Sequence, residues 1–494
     1  MQAMCRNSRG IVACLVLGLV GCSSAENAEP RESGHTLQAS GDAEAGSDQV
    51  DADPAIEWNR EIIKLAKAED GLLTLKGVRT AVMAHLAMHD ALNAVRPVYA
   101  SYACDTAAAD ADPVIAAVQA AFEVVVSQYP DRRPELDRMR EKQLLTISDG
   151  AGRAAGIALG KACAAAILER RNNDGWNTEV AYEFHPMGPG VYAEFREHSG
   201  TPQGFVFGAG WAKARPFVLT SADQFRAPPP PEIDSREYLD AYNEVKTTGR
   251  IESRTRSADQ THLALWWKDF AENSMNKLAR ELTNAETMDL WTASRLFALI
   301  NAAIYDGYVS VFENKYFYNH WRPYTAIRWA EHDGNPDTVA DPDWNNTHGH
   351  TYAFPSYPSA HGTVCAAALT IFTKTFGDGY PFTMTTEVVD SAGPMSPKMK
   401  MDPPTRSFES FSAAARECAL SRVYLGIHFR YDSTEGTRLG ERIGNYVWEN
   451  SLRPVHARTD SQRTGATHSL RTDPGRSGRQ PVIYTRKVTV VRQR

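Results

Sequence analysis

Apolar residues recur with a helical period along most of this chain, and that period limits the possible folds more than any other feature. Within residues 74–95 they lie on one face of a predicted helix, at Val78, Val82, Leu86 and Leu92. Asp112 and Pro113 have the residue types typical of a helix N-cap and a first helical position. Strand-like alternation is weak and confined to residues 481–491. The sequence therefore predicts an all-α protein whose loops carry the functional residues.

The helical period stops over residues 172–234, where glycine and proline dominate. We interpret this part as a long connection that completes an N-terminal helical half, residues 55–234. The period resumes with a helix-capping sequence at Ser257 and defines a C-terminal half, residues 235–453. Residues 454–494 are basic and rich in serine, threonine and glycine, which predicts a poorly ordered tail.

Residues 1–22 have the layout of an export signal. Arg6 and Arg9 precede an apolar run that is too short to span a bilayer as a mature helix. The run ends in Leu-Val-Gly-Cys, which resembles a bacterial lipobox, so we expect Cys22 to be lipidated; a plain signal peptide or an uncleaved anchor is the alternative. Residues 23–54 are acidic and nearly free of aromatic side chains, which predicts a disordered tether. We expect an exported protein of the bacterial cell envelope, anchored at the outer membrane or the periplasmic face.

Charge, cysteine spacing and apolar length limit the partners, the redox state and the membrane contact of the chain. The net charge is −7 and the basic residues are scattered, which argues against a nucleic-acid partner. Four cysteines follow the export segment and lack metal-type spacing, so we expect buried thiols or one or two disulfides: Cys104, Cys163, Cys365 and Cys418. After the export signal no segment is apolar for long enough to cross a membrane, so we expect membrane contact through the lipid alone.

The stretch from Lys315 to Pro323, KYFYNHWRP, places two permanent cations among aromatic rings. Lys315 and Arg322 are two helical turns apart and would lie on nearly the same side of a helix. Pro323 disfavours helix at Arg322, so the arginine should lie where the helix ends. Two cations on one side predict a multivalent anion between them, while surface cations on an aromatic helix are the alternative. We expect the rings of this stretch to exclude water and strengthen the contacts.

A second stretch, FPSYPSAHGTV, leads into an apolar helix that should end at Gly377. Ser359 is its N-cap candidate, and the free N–H groups of the first turn, including that of Ala360, favour a phosphate-like anion. His361 would stand beside this anion. His348 and His350 precede the stretch; a loop role without chemistry is favoured for them, and a place at the mouth of the pocket is the alternative.

A third stretch, SRVYLGIHFRYD, contains Arg422, His428 and Asp432. If it is helical, Asp432 is one turn from His428 and can hold one ring nitrogen, leaving the other as a nucleophile or ligand. Arg422 would then point about 120° away, so only a break near Gly426 or a long side chain brings it to the same site.

Taken together, the order and spacing Lys-x6-Arg-Pro, Pro-Ser-x-His and Ser-Arg-x5-His-x3-Asp resemble the signature of the vanadium-dependent haloperoxidase and type 2 phosphatidic acid phosphatase superfamily. The segments HLAMHDALNAV, RPFVLTSADQFRAPPPPE and WWKDFAENSMNKLAREL also resemble bacterial haloperoxidases, so the resemblance covers most of residues 55–453. It implies a fold of two packed helical bundles with the anion site in the second.

The resemblance and the charges imply the same roles. Lys315, Arg322 and Arg422 would neutralise the oxygens of a phosphate or vanadate, while Ser359 and the N–H of Ala360 add neutral donors. His428, oriented by Asp432, would bond the central atom, as the axial ligand of vanadium or as a nucleophile forming a phosphohistidine. His361 would move protons on the opposite side.

We call these anion-binding residues the cage. The same cage could serve two reactions, since bound vanadate resembles the five-coordinate state of phosphoryl transfer. We expect a haloperoxidase that uses vanadate, hydrogen peroxide and a halide. The alternative is an acid phosphatase that acts on a phosphate ester without a cofactor, and a non-catalytic envelope lipoprotein that binds phosphate or a partner is a third hypothesis. Ala360 stands where the family more often has glycine. Phe312 and Phe354 match positions near the halide region, and some halide-oxidising members have tryptophan at the position of Phe312, which favours bromide over chloride.

Overall fold

The computed structural model describes residues 50–145, 147, 150–193, 206–394 and 396–455. The expectations for the export signal, most of the tether and the tail therefore lie outside the described residues. Residues 50–52 belong to the folded part, because the N–H of Leu290 donates to the carbonyl of Val50 over 2.9 Å. The boundary expected at residue 55 falls inside the first helix, which begins at Asp53.

Helices build the described part of the chain. In chain order they are α1 Asp53–Glu69, α2 Lys76–Val95, α3 Pro113–Gln128, α4 Arg133–Leu144, α5 Ala151–Arg170, α6 Arg236–Thr248, α7 Ala258–Trp266, α8 Ala271–Ala285, α9 Leu290–Tyr318, α10 Pro323–Arg328, α11 Ala360–Phe376, α12 Phe411–Tyr424 and α13 Arg430–Asn450. The helical fold predicted from the apolar period is confirmed.

The predicted helix starts are confirmed by their hydrogen bonds. The side chain of Asp112 accepts from the N–H of Ile115 at the start of α3, and Pro113 is the first helical residue. Ser257 and Gln260 form a reciprocal capping box on α7. These contacts satisfy N–H groups that the first turn of a helix leaves without partners.

Four short strands were not expected from the sequence. β1 Phe382–Thr385 pairs antiparallel with β4 Thr405–Phe408, and β2 Val388–Asp390 pairs antiparallel with β3 Lys398–Lys400. Each strand has three or four residues, which is too short for an alternating apolar pattern to stand out. The strands form a small extension between α11 and α12.

Helix α9 lies at the centre of the described fold. It packs against α2 of the first half and against α11 and α13 of the second, so both halves share one long helix. By length and composition α9 and α5 could each cross a membrane, contrary to the sequence expectation. Because 94% of the apolar window of α9 is buried inside the protein, α9 is a core helix.

The cysteines confirm part of the expectation. Cys104 and Cys163 form a disulfide that ties the segment after α2 to α5. Cys365 on α11 and Cys418 on α12 are buried free thiols.

Candidate anion-binding site

The three motifs converge at one buried site. Lys315 lies near the end of α9, Arg322 directly precedes α10, and Arg422 lies in the last turn of α12. His428 lies in the connection between α12 and α13, one turn before Asp432. Each of these five side chains is at most 4% exposed. The convergence follows from α9, α11 and α13 packing together, since each of these helices begins or ends beside the site.

The ammonium group of Lys315 holds the loop that leads into α11. Its Nζ donates to the carbonyl oxygens of Pro355, Ser356 and Pro358 over 3.0, 2.6 and 2.5 Å. An ammonium has three hydrogens, so these bonds occupy all of them. In this conformation Lys315 shapes the anion loop and contributes its charge from behind it, whereas the sequence predicted a direct bond to the anion.

Arg322 connects the same loop to His428. Its Nε donates to the carbonyl of Phe354 over 2.9 Å, and its Nη1 lies 2.8 Å from the carbonyl of Ile427 and 3.2 Å from Nε2 of His428. Because a guanidinium can only donate, Nε2 of His428 must be the acceptor in this contact.

The rings beside these cations are not those predicted. The ring of Phe354 lies 4.6 Å from the Arg322 guanidinium and 5.3 Å from Nζ of Lys315. Within the KYFYNHWRP stretch, Phe317 is 62% exposed and Trp321 packs on Tyr238. The expectation was wrong for these two rings, because α9 turns Phe317 to the surface and Trp321 lies in the connection after α9, while Phe354 comes from the loop.

His428 is oriented by Asp432 as predicted. Its Nδ1 lies 2.9 Å from Oδ2 of Asp432, which also accepts from the hydroxyl of Ser356 over 2.8 Å and the N–H of Phe429 over 3.1 Å. The proton therefore belongs on Nδ1, which leaves the lone pair of Nε2 toward the cage. Burial, with the charges of Arg322 and Lys315, lowers the pKa of His428 well below its usual range. Burial raises the pKa of Asp432, and the Ser356 hydroxyl and the two cations oppose that rise.

The helical geometry assumed for this pair was wrong. α12 ends at Tyr424 and α13 begins at Arg430, so His428 precedes its helix and Asp432 lies in the first turn. Gly426 has φ +79°, a backbone conformation that favours glycine, and it provides the break that brings Arg422 to the site.

Arg422 has donors that no described residue uses. Its Nη1 donates to the carbonyl of Trp267 over 2.9 Å, while Nε and Nη2 are buried without a partner in the part of the chain that the structure describes. The residue is 1% exposed. Unpaired buried N–H groups on a charged side chain are costly, so they indicate a bound acceptor.

The buried charges of the site also indicate a bound anion. Lys315, Arg322 and Arg422 are three buried basic residues, and Asp432 is the carboxylate that contacts the site. Burial and the charge of Arg322 lower the pKa of Lys315 well below its usual range, and a bound anion would favour its charged form. Buried charges of one sign need a counter-charge. The residues therefore fit an oxyanion such as phosphate or vanadate, held by Arg422 and facing the lone pair of His428.

The start of α11 forms the next part of the site. Ser359 is the N-cap, and its hydroxyl accepts from the N–H of Gly362 over 3.2 Å. Ala360 is the first helical residue and does not have positive φ, so its methyl group causes no backbone strain. As predicted, the helix ends before Gly377, whose φ is +86°.

His361 has a different partner from His428. Its Nε2 lies 3.0 Å from the carbonyl of Asp269, and a carbonyl only accepts, so Nε2 carries the proton and Nδ1 has the lone pair. Burial and the charge of Arg422 lower the pKa of His361 to about 3. His361 is therefore neutral and can accept a proton at Nδ1.

A cavity of ≈ 250 Å³ opens onto these groups. His361, Arg422 and His428 line one end of it, and Ala360 lies beside them. The remaining wall is mostly apolar and includes seven aromatic rings: Phe207, Trp211, Phe270, Tyr308, Phe312, Tyr352 and Phe354. His350 lines the cavity, and His348 is buried against Tyr352.

Several contributors were missed by sequence reasoning. The carbonyls of Trp267 and Asp269 hold Arg422 and His361, and Ser356 supports Asp432. Backbone carbonyls leave no trace in residue identity, so no sequence pattern could have assigned the first two. Phe207 and Trp211 come from the long connection, where the absence of a helical period concealed their role.

The fold and the site together define a helical protein with a buried basic site that fits a tetrahedral oxyanion. Residues 295–457, which include every cage residue, match the family model described as the VCPO second helical-bundle domain. The chain is 27% identical over 281 residues to a vanadium chloroperoxidase of Curvularia inaequalis; the match covers 45% of each protein, so it spans less than half of that relative.

Solved structures have the same fold. A bacterial vanadium-dependent iodoperoxidase superposes with a TM-score of 0.65 at 25% identity, covering 84% of this chain and 100% of that chain. A bacterial vanadium-dependent chloroperoxidase in its holo form gives a TM-score of 0.57 at 16% identity, over 78% of this chain and 94% of the other. These similarities support the vanadium-dependent haloperoxidase superfamily that the sequence motifs resemble.

Proposed function

We propose that this protein is a vanadate-dependent haloperoxidase that oxidises a halide with hydrogen peroxide. The observation that carries the proposal is the pair of Arg422 guanidinium nitrogens, Nε and Nη2, whose N–H groups are buried without a partner among the described residues, in a cavity that His428 also lines. A tetrahedral oxyanion supplies acceptors for those donors and a central atom for the lone pair of His428. The similarity to a bacterial iodoperoxidase, which extends over the full length of that protein, supports a peroxidase function.

The chain supplies the groups that hold vanadate. Arg422 offers guanidinium donors, and the Ser359 hydroxyl and the N–H of Ala360 add neutral donors. Arg322 and Lys315 add charge while their own N–H groups hold the loop beside the site. Nε2 of His428 would be the ligand, because Asp432 fixes the proton on Nδ1, and the Nη1 contact that Arg322 makes to Nε2 would be replaced. Bound vanadate would supply the Lewis acidity that activates hydrogen peroxide.

The remaining residues handle protons and water. His361 accepts a proton from the incoming peroxide at Nδ1, since Nε2–H is held by Asp269. The aromatic wall lowers the local dielectric, which strengthens the contacts of the cage. His361 is neutral at physiological pH, so the lone pair on Nδ1 is available.

The cavity wall favours the larger halides. Phe312 and Phe354 lie 5.2 Å apart between ring centroids, and Trp211 packs 4.5 Å from Phe312. Because chloride is more strongly hydrated than bromide or iodide, an apolar wall penalises its entry most. We therefore infer that bromide and iodide are oxidised in preference to chloride.

One experiment separates the two chemistries of the superfamily. Purified protein is assayed for bromide and iodide oxidation with peroxide, with and without added orthovanadate, and for hydrolysis of an aryl phosphate without vanadate. We expect oxidation that depends on vanadate and is inhibited by phosphate. Efficient phosphate-ester hydrolysis with no vanadate-dependent oxidation would make this protein an acid phosphatase with a phosphohistidine at His428.

We also propose that Cys22 is lipidated and anchors the protein to the cell envelope, on the basis of the Leu-Val-Gly-Cys sequence. Replacing Cys22 with Ser should release the protein from the membrane fraction, while the Cys14→Ser control should not. Unchanged fractionation of the Cys22→Ser variant would refute the anchor.

A further inference from the structure

The cavity above the cage has two chemically different ends. His361, Arg422 and His428 line one end, and these are the groups that would hold vanadate and peroxide. The rest of the wall is built from aromatic rings together with Leu72 and Leu73. We call this second part the ring chamber. Neither the oxyanion nor the peroxide accounts for a large apolar wall.

The volume is far larger than the inorganic substrates need. A buried apolar cavity of about 150 Å³ is known to accept benzene. The cavity here measures ≈ 250 Å³ including the end lined by His361, Arg422 and His428, so it has room for a small aromatic compound beside an oxyanion.

The chamber is preformed. Phe312 lies between Trp211 and Phe354, and Phe207 meets it edge-on with ring centroids 6.2 Å apart. Gly208 has φ +72°, and an added Cβ there would collide with the Phe312 ring, so glycine lets this loop close over the chamber. The N–H of Phe207 donates to the carbonyl of Ala353 over 2.8 Å, which fixes the loop.

The wall presents ring surfaces to an occupant. Tyr308 lines the cavity, but its hydroxyl donates to the buried carboxyl of Glu272 over 2.8 Å and so points out of the chamber. Ring faces and edges favour a flat aromatic partner through offset and edge-to-face contacts. Such a partner would lie next to the atoms where the halide is oxidised.

We infer that the ring chamber binds the organic acceptor of the halogen, a small electron-rich aromatic compound such as a phenol or an indole, and that halogenation takes place there. The binding stands on the chamber, and the transfer rests on the proposed peroxidase function. Halide, peroxide and one proton give hypohalous acid and water. The aromatic carbon then takes the halogen as the O–X bond breaks, the oxygen leaves as water, and the displaced ring proton completes that water.

Binding is tested first, without turnover. Full-length protein, with and without orthovanadate, is titrated calorimetrically with phenol and with indole in the absence of peroxide. We expect saturable one-to-one binding that Phe312→Ala weakens roughly tenfold, the order of a lost ring–ring contact. Phe317→Ala is the matched control, because Phe317 lies on the same helix and is 62% exposed. Phe312→Leu, which keeps an apolar side chain without the ring, should also weaken binding and protects the test if the alanine variant does not fold.

Transfer is tested by the product. With bromide, peroxide and vanadate, the parent should brominate phenol with an ortho-to-para ratio different from that of free hypobromous acid. Phe312→Leu should shift the ratio toward that of the free reagent. No saturable binding, or equal binding by the parent and both Phe312 variants, overturns the chamber. Saturable binding with the ratio of the free reagent overturns transfer in the chamber. Binding without any halide oxidation supports the chamber and refutes both transfer and the proposed peroxidase.

Discussion

Two histidines line one cavity, and their hydrogen-bond partners place the proton on a different ring nitrogen in each. His428 donates from Nδ1 to Asp432 and keeps its lone pair on Nε2, whereas His361 donates from Nε2 to the carbonyl of Asp269 and keeps its lone pair on Nδ1. A carboxylate makes the first ring a stronger electron donor than a carbonyl makes the second. The two rings are therefore suited to ligation and to proton transfer, respectively.

Alanine variants of the two histidines should separate these roles. His428→Ala should greatly weaken vanadate binding, because the site then retains only charge and neutral donors. His361→Ala should keep most of the affinity while halide oxidation falls by about 10² to 10⁴, the usual contribution of a general base. Vanadate titrations and turnover rates measure both effects. Equal losses of affinity in the two variants would show that the roles are assigned wrongly.

Glu272 provides a pH test of the buried interior. Burial raises the pKa of Glu272 from 4.5 to about 7, and Tyr308 donates to its carboxyl. A raised pKa in the folded state means that the contribution to stability is full below pH 4.5 and is lost as pH rises through 7.

Glu272→Gln should remove this pH dependence. Relative to the parent, the variant should gain about 2 to 3 kcal/mol of unfolding free energy between roughly pH 5 and pH 8. Urea unfolding at both pH values measures the difference. The exposed Glu281 on the same helix provides the control, since Glu281→Gln should show no such gain. A parallel pH response of Glu272→Gln and the parent would contradict the shifted pKa.

At the scale of elements, α13 packs against α11 through three glycines spaced one helical turn apart. A Cβ at Gly436 would lie 2.6 Å from the carbonyl oxygen of Ser359, and one at Gly444 would lie 2.6 Å from that of Ala367. Gly440, between them, faces the carbonyl of Thr363 even more closely. This close approach brings Asp432, in the first turn of α13, to the loop of Ser359, whose N–H donates to the Asp432 carbonyl over 2.9 Å.

Gly440→Ala should force the two helices apart. We expect a loss of about 1 to 3 kcal/mol of unfolding free energy, as for other overpacked interiors, despite the better helix propensity of alanine. Denaturant unfolding measures the loss. Gly379→Ala is the control, because no atom lies within 4 Å of its added methyl group, and it should change stability by less than about 0.5 kcal/mol. If the two variants were equally stable, the glycine contact would not set the helix spacing.

The sequence predicted the elements better than their connections. Caps such as Asp112 and Ser359 depend on neighbouring residues, so local sequence suffices to place them. His428 was wrongly placed on a helix, because the break at Gly426 depends on tertiary contacts: an added Cβ there would meet Gly249 and Asn346. The bonds of Lys315 to three carbonyls and the ring of Phe354 beside Arg322 depend on the path of the loop, which residue identity does not specify.

At the scale of the whole molecule, one disulfide connects distant parts of the first half. Cys104 and Cys163 are 59 residues apart in sequence, so the bond closes a long loop. Closing such a loop restricts the unfolded chain, and disulfides of this kind contribute about 2 to 5 kcal/mol. Oxidising compartments preserve disulfides, so the bond is compatible with the export that the sequence predicts.

The double variant Cys104→Ser, Cys163→Ser should unfold at a lower urea concentration, because its free energy of unfolding is lower by about 2 to 5 kcal/mol. Reducing agent should destabilise the parent similarly and leave the double variant unchanged, since the free thiols of Cys365 and Cys418 are already reduced. A parent protein that is insensitive to reduction under unfolding conditions would show that the bond does not form.

The central claim is that the buried cations and His428 bind one tetrahedral oxyanion. Calorimetric titration with orthovanadate tests it most directly, in the parent, in Arg422→Ala and in Arg438→Ala, whose side chain is 66% exposed on α13. The account predicts one site per chain, competition by phosphate, a loss of about 2 to 5 kcal/mol in Arg422→Ala and no change in Arg438→Ala. Binding by Arg422→Ala as tight as that of the parent, or a lack of competition between phosphate and vanadate, would contradict it.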